Sequence, residues 1–158
     1  MGGLLFEPTH TVAYAALPTQ DDAFTAEIVP EDSRVEMVRQ FLAAYDSPLE
    51  PHAAFIVITA EKYNLDYRLI PSIAMQESNL CKKNRPESYN CWGFGIYGDK
   101  YLHFDSYEHG IETVTRTLSE KYKDKHGLVT PQEIMSMYTP SSNGSWANGV
   151  NYFMDKMQ

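Results

Sequence analysis

Apolar residues recur at three- and four-residue spacing from Ser33 onward. Val35, Val38, Phe41, Leu42 and Tyr45 share one face of a predicted helix that the run "DSPLEP" breaks. A second helix is predicted over about Pro51 to Tyr63, with Pro51 tolerated in its first turn. Asp66 suits the N-cap of a third, whose apolar face includes Leu69, Ile70, Ile73 and Ala74 and which should stop near Glu77 or Asn79. Between Trp92 and Phe104 the helical spacing gives way to glycines interleaved with aromatics, and "YGDK" reads as the turn of a small hairpin. Helix returns in "DSYEHGIETVTRTLSEKY", where Tyr107, Ile111, Val114 and Leu118 form a stripe behind a cap at Asp105 or Ser106. "TPQE", Thr130 to Glu133, is a capping box with Pro131 at the first helical position, followed by Ile134, Met137 and Tyr138. A last helix sets Trp146, Val150, Phe153 and Met157 on one face. The pattern predicts a mainly α domain over residues 32–158 with a small β-hairpin lobe after the third helix. Residues 1 to about 31 keep no sustained period and read as a flexible lead-in or tether.

Composition narrows the function classes. The chain has 158 residues and is 43% hydrophobic, enough for one domain with a real core. Its 13 basic and 21 acidic residues give a net charge of −8, which leaves no broad basic face for nucleic acid. The longest apolar runs, such as "AAFIVI", fall far short of the roughly 20 residues that a membrane span requires. The first residues lack the basic start and apolar run of a signal peptide, so any membrane tether is expected outside this sequence and export must be argued elsewhere. Cys81 and Cys91 stand ten apart around polar residues, Pro86 and Tyr89. That spacing predicts a disulfide closing a surface loop, and with it an extracytoplasmic location; two unrelated reduced thiols in a cytosolic protein are the alternative. The five histidines are scattered without metal-ligand spacing, so no metal is expected.

The candidate chemistry lies in "IPSIAMQESNLCKKNRPESYNCWGFGIYG", where an apolar helix ends in a lone acid, Glu77. A carboxyl at a helix C-terminus sits in the negative end of the helix field, and apolar neighbours add to the same effect, so it stays protonated to higher pH. A protonated Glu is what donates a proton to a glycosidic oxygen. Tyr89, Trp92, Phe94 and Tyr97 follow within some twenty residues, and Gly93 and Gly95 let the backbone approach a ligand. Sugars present apolar faces ringed by hydroxyls, which suits aromatic platforms with nearby amides such as those of Asn79 and Asn90.

"LDYRLIPSIAMQESNL" resembles the catalytic helix of bacterial lytic transglycosylases and the wider lysozyme-like superfamily. The resemblance runs from about Ser33 to the C-terminus. "YNCWGFGIYG" stands at the place of the family's glycine-rich segment, "FDSYEHGIETV" resembles its next helix start, and "MYTPSSNGSWANGVNYFM" resembles its closing tyrosine-containing segment. Two departures are "GFGI" in place of Gly-Leu-Met-Gln and "YTPS" in place of Tyr-Asn-x-Gly. The resemblance implies an α+β lysozyme-like fold with Glu77 as catalytic acid/base, Ser78 as its polar support and Tyr138 lining the cleft. It further implies a peptidoglycan-cleaving monomer without cofactor, in which one Glu cuts the bond between N-acetylmuramic acid and N-acetylglucosamine and leaves 1,6-anhydromuramyl ends.

Three alternatives stay open. A hydrolytic muramidase or glucosaminidase on the same fold commonly needs a second carboxylate, about 5 to 9.5 Å away depending on stereochemistry. Asp99, Asp105 and Glu87 are the candidates, although "GDK" reads as turn chemistry and "FDS" as a helix cap. A catalytically lapsed glycan-binding module would keep the fold without turnover. A plain helical interaction domain would pair Glu77 with a Lys or Arg and leave no cleft above it.

Overall fold

A computed structural model describes residues 32–95 and 102–158. Within them lie six α-helices: α1 Ser33–Ala43, α2 Ala53–Lys62, α3 Leu69–Ser78, α4 Tyr107–Thr117, α5 Pro131–Tyr138 and α6 Ser145–Met154. A 3-10 turn, Glu50–His52, holds Pro51 and leads into α2, and a π-helical stretch, Leu118–Asp124, prolongs α4.

The local signals set these boundaries. Asp32 accepts the Arg34 N–H at 3.0 Å and caps α1. Asp66 accepts the Arg68 N–H at 2.9 Å, which caps the turn that feeds α3 rather than the α-helix itself, since that begins at Leu69. Ser106 caps α4 by accepting the His109 N–H at 3.1 Å. Both halves of the capping box on α5 are present: Thr130 accepts from Glu133 N–H, and the Glu133 carboxylate accepts the Thr130 and Val129 N–H groups at 2.9 and 3.0 Å. The free carbonyls at the end of α2 find partners on the π-helical stretch: Lys123 Nζ donates to Tyr63 O and Asn64 O, and Ser119 Oγ donates to Tyr63 O.

α3 is the axis of the molecule. Leu69 through Met75 are all buried, so this helix is apolar around most of its circumference rather than along one stripe. It packs against α6 and α4, while α1 and α2 pair beside them. Gly149 permits the close approach of α6, because a Cβ there would lie 2.0 Å from Gln76 Oε1.

Among the described residues there is no strand, so the expected β-hairpin lobe is not supported; its expected turn, "YGDK" at 97–100, lies outside them. The described residues 90–95 form a side-chain-clamped loop instead. The Asn90 amide donates to Phe94 O at 2.8 Å and Leu102 O at 2.9 Å, and its oxygen accepts the Phe94 N–H at 3.0 Å. One side chain thus satisfies backbone groups that a ladder would otherwise pair. Trp92, completely buried, donates its indole N–H to Ile70 O at 3.0 Å and packs into the core. Gly110 on α4 makes room for it, since a Cβ there would lie 2.7 Å from Trp92 Cζ3 and 3.1 Å from Tyr89 O. Gly110→Ala is expected to destabilise the fold by about 1–3 kcal/mol through overpacking, despite the better helix propensity of Ala. Equilibrium denaturation checks this, and an unchanged midpoint would contradict it.

Candidate functional site

Glu77 stands one residue before the end of α3, where Asn79 takes the left-handed C-cap conformation at φ 51°. Leu80 and Cys81 continue left-handed at φ 54° and 70°, an unfavourable run for side chains with a Cβ. Three contacts hold it. Ser78 Oγ, buried, donates to Cys91 O at 2.7 Å and accepts the Cys81 N–H at 2.8 Å; Ser47 Oγ donates to Leu80 O at 3.1 Å; and Cys81 is disulfide-bonded to Cys91. The chain therefore turns sharply after Glu77 and returns at Cys91, bringing Trp92 and Gly93 beside the acid.

Gly93, at φ +59°, lies directly against the carboxyl: a Cβ there would be 2.7 Å from Glu77 Oε2. The other oxygen, Oε1, accepts the indole N–H of Trp146 at 2.6 Å. The Trp146 ring stacks on Tyr138 with centroids 5.2 Å apart, and the Tyr138 hydroxyl donates to Trp92 O. Tyr122 completes the aromatic wall, 6.2 Å from Tyr138. Beside them opens a cleft of about 500 Å3 lined by Gly93, Phe94, Gly95, Lys121, Tyr122, Met137, Tyr138 and Pro140, of which Gly93 adjoins Glu77 and Tyr138 adjoins Trp146.

The electrostatics follow from this crowding. Glu77 is open to solvent on one side, yet desolvation by the packed residues raises its pKa above the ordinary glutamate value. The Trp146 N–H stabilises the carboxylate and works against that rise. Desolvation is the larger effect, and the C-terminal field of α3 acts in the same direction. Tyr138 is raised well above its ordinary value by desolvation and then by the nearby Glu77 charge, so its hydroxyl stays protonated as a donor. Among the described residues Glu77 forms no salt bridge, and no cluster of three His, Cys, Asp or Glu is placed to hold a metal ion.

The residues singled out from the sequence separate into three groups. Phe94 and Tyr138 line the cleft, and Glu77 stands at its margin against Gly93 and near Tyr138. Ser78, Asn79 and Asn90 shape the backbone around it: a buried strut, a helix cap and a loop clamp. Trp92 and Tyr89 are not platforms. Trp92 is core, because its indole N–H finds a carbonyl inside the protein. Tyr89 is half-buried edge-on against Tyr107 at 5.0 Å, with φ 49°, away from the cleft lining. Tyr97 lies outside the described residues, as does Asp99. Asp105 is exposed beside His109, Glu87 occupies a left-handed turn in the disulfide loop, and neither lines the cleft.

Trp146, Tyr122 and Lys121 belong to the site without having been picked out beforehand. For Trp146 one signal was available: a tryptophan on a buried helix face needs a partner for its N–H. Trp146→Phe keeps the ring and removes the donor. Its loss should raise the Glu77 pKa further, so the titration of an isotope-labelled Glu77 carboxyl followed by NMR moves to higher pH. A titration that stays put would sever Trp146 from the acid.

No protein-family model matches the chain, and no curated protein matches its sequence.

Proposed function

We propose that the protein is a peptidoglycan-cleaving enzyme of the lytic transglycosylase kind, with Glu77 as its single acid/base. One observation carries the reading: a partly exposed glutamic acid whose pKa is raised by desolvation, held by a neutral indole donor rather than a cation, stands against Gly93 at the margin of a cleft with no carboxylate among its described lining residues.

The hydrogen-bonding supports a division of labour between the two oxygens. Oε1 is engaged by Trp146, so the transferable proton belongs on Oε2, beside Gly93 at the cleft margin. Oε2–H gives its proton to the oxygen between N-acetylmuramic acid and N-acetylglucosamine as the C1–O bond breaks, and the substrate's own acetamido group stabilises the cation developing at C1. The Glu77 carboxylate then takes the proton from the muramyl C6 hydroxyl while O6 closes on C1. One bond breaks, one forms, the proton is returned, and no water is consumed. A wall of Tyr122, Tyr138 and Phe94 suits the apolar faces of a sugar chain.

An extracytoplasmic setting fits the same reading. The Cys81–Cys91 disulfide belongs to oxidising compartments, and no helix among the described residues is long and apolar enough to cross a membrane.

Mass spectrometry of fragments released from purified peptidoglycan tests the proposal. The expected products are anhydro ends lighter by one water, produced by the native protein and not by Glu77→Gln. Hydrated reducing ends would place the protein among the hydrolases. Binding to the polymer without release by either protein would make it a glycan-binding module.

A further inference from the structure

Among the described residues the cleft carries one charged lining residue, and in a chain of net charge −8 that residue is a cation, Lys121. Lys121 lies in the π-helical stretch Leu118–Asp124. Such insertions alter the facing of successive residues and are frequent at functional sites. Its neighbour two residues on, Lys123, is consumed structurally by the carbonyls of Tyr63 and Asn64. Lys121 instead is exposed, lines the cleft, and forms no ion pair among the described residues. A lone ammonium costs little there because it stays hydrated, and nothing in the fold requires it.

Its placement relative to the acid gives it a task. From Glu77 the wall runs through Tyr138 to Tyr122, and Lys121 is next to Tyr122 in the chain. A glycan lying on this wall with its scissile oxygen at Glu77 would run along the same cleft that Lys121 lines. We infer that Lys121 is the residue by which this cleft distinguishes a strand bearing a carboxylate near the scissile bond, such as the free lactyl group of a muramyl residue without its stem peptide, from a neutral amino-sugar polymer. The inference rests on the glycan reading of the site. It adds a specificity determinant that contacts the substrate away from the reacting atoms and acts on binding rather than on proton transfer. A charge-assisted contact at this position also offsets locally the unfavourable approach of an anionic polymer to an acidic protein.

The test is calorimetric titration of Glu77→Gln protein, which binds without turnover, with three oligosaccharides: one carrying free lactyl carboxylates, the same one as methyl esters, and a neutral N-acetylglucosamine oligomer. Lys121→Gln and Lys121→Arg are added to that background, and KM and kcat are measured with otherwise native protein. Lys121→Gln should weaken binding of the free acid by about tenfold, leave the ester and the neutral oligomer unchanged, and raise KM with kcat nearly constant, whereas Lys121→Arg restores the preference. Equal weakening for all three ligands, or none, overturns the role of Lys121 while the catalytic reading stands. Lys121-dependent preference for the acid without cleavage by the native protein upholds the inference and overturns the catalytic reading. Absence of binding to all three overturns both.

Discussion

Replacing Glu77 by Gln should lower the single-turnover rate of glycan cleavage by about three to four orders of magnitude, the upper part of the range for a positioned acid/base, because in the proposed mechanism one group performs both proton transfers. Gln is close in shape, and its carbonyl oxygen can still accept the Trp146 N–H, so the geometry that holds Oε1 is retained. What disappears is the transferable proton next to Gly93. Stability should move the other way. The folded-state pKa of Glu77 is raised, so the unfolded chain releases this proton first as pH rises. Stability therefore declines from the ordinary glutamate value up to the folded-state value and is level above it. The neutral Gln lacks that decline, so denaturation of the variant above this window should give a midpoint equal to or higher than that of the native protein. A rate within tenfold of the native one would remove Glu77 from the chemistry.

Joint replacement of Cys81 and Cys91 by Ser should cost about 2–3 kcal/mol, the loop-closure value for a ten-residue separation, read as a lower denaturation midpoint. The consequence for activity comes from position. The disulfide pins the far end of the left-handed run Asn79–Cys81 and the residue whose carbonyl accepts the Ser78 hydroxyl. Without it, the run is free to relax toward more favourable backbone angles. Gly93 and the Trp92 carbonyl, which touch Glu77 and Tyr138, then lose their fixed distance from α3. An ångström of misplacement is enough to lower kcat by up to about 10²-fold in the fraction that remains folded. Full activity in a destabilised double variant would show that the bond serves stability alone.

Much of this molecule was set by local sequence. The caps at Asp32, Ser106 and Thr130 act within four residues of the helices they start, so their side chains declare the boundaries directly. The acid at the end of an apolar helix and the cysteine pair ten residues apart are legible for the same reason. What followed could not be read that way. Trp92 and Phe94 sit two residues apart in the same aromatic and glycine run, yet one fills the core and the other faces the cleft. Which does which depends on Ile70 and Gly110, distant in sequence, offering Trp92 an acceptor and a space. The hairpin expectation failed because glycines and aromatics suit a strand pair and a clamped loop alike, and only the reach of the Asn90 amide decides between them. The partner of Glu77 lies 69 residues away on α6, and the facing of Lys121 depends on a π-helical register that no periodicity announces. The sequence by itself determined the helices and the acid, because those are short-range matters of capping and spacing. Only tertiary packing decided which donor holds that acid, which aromatics face the cleft and which charge lines it, because each depends on side chains that meet across the fold.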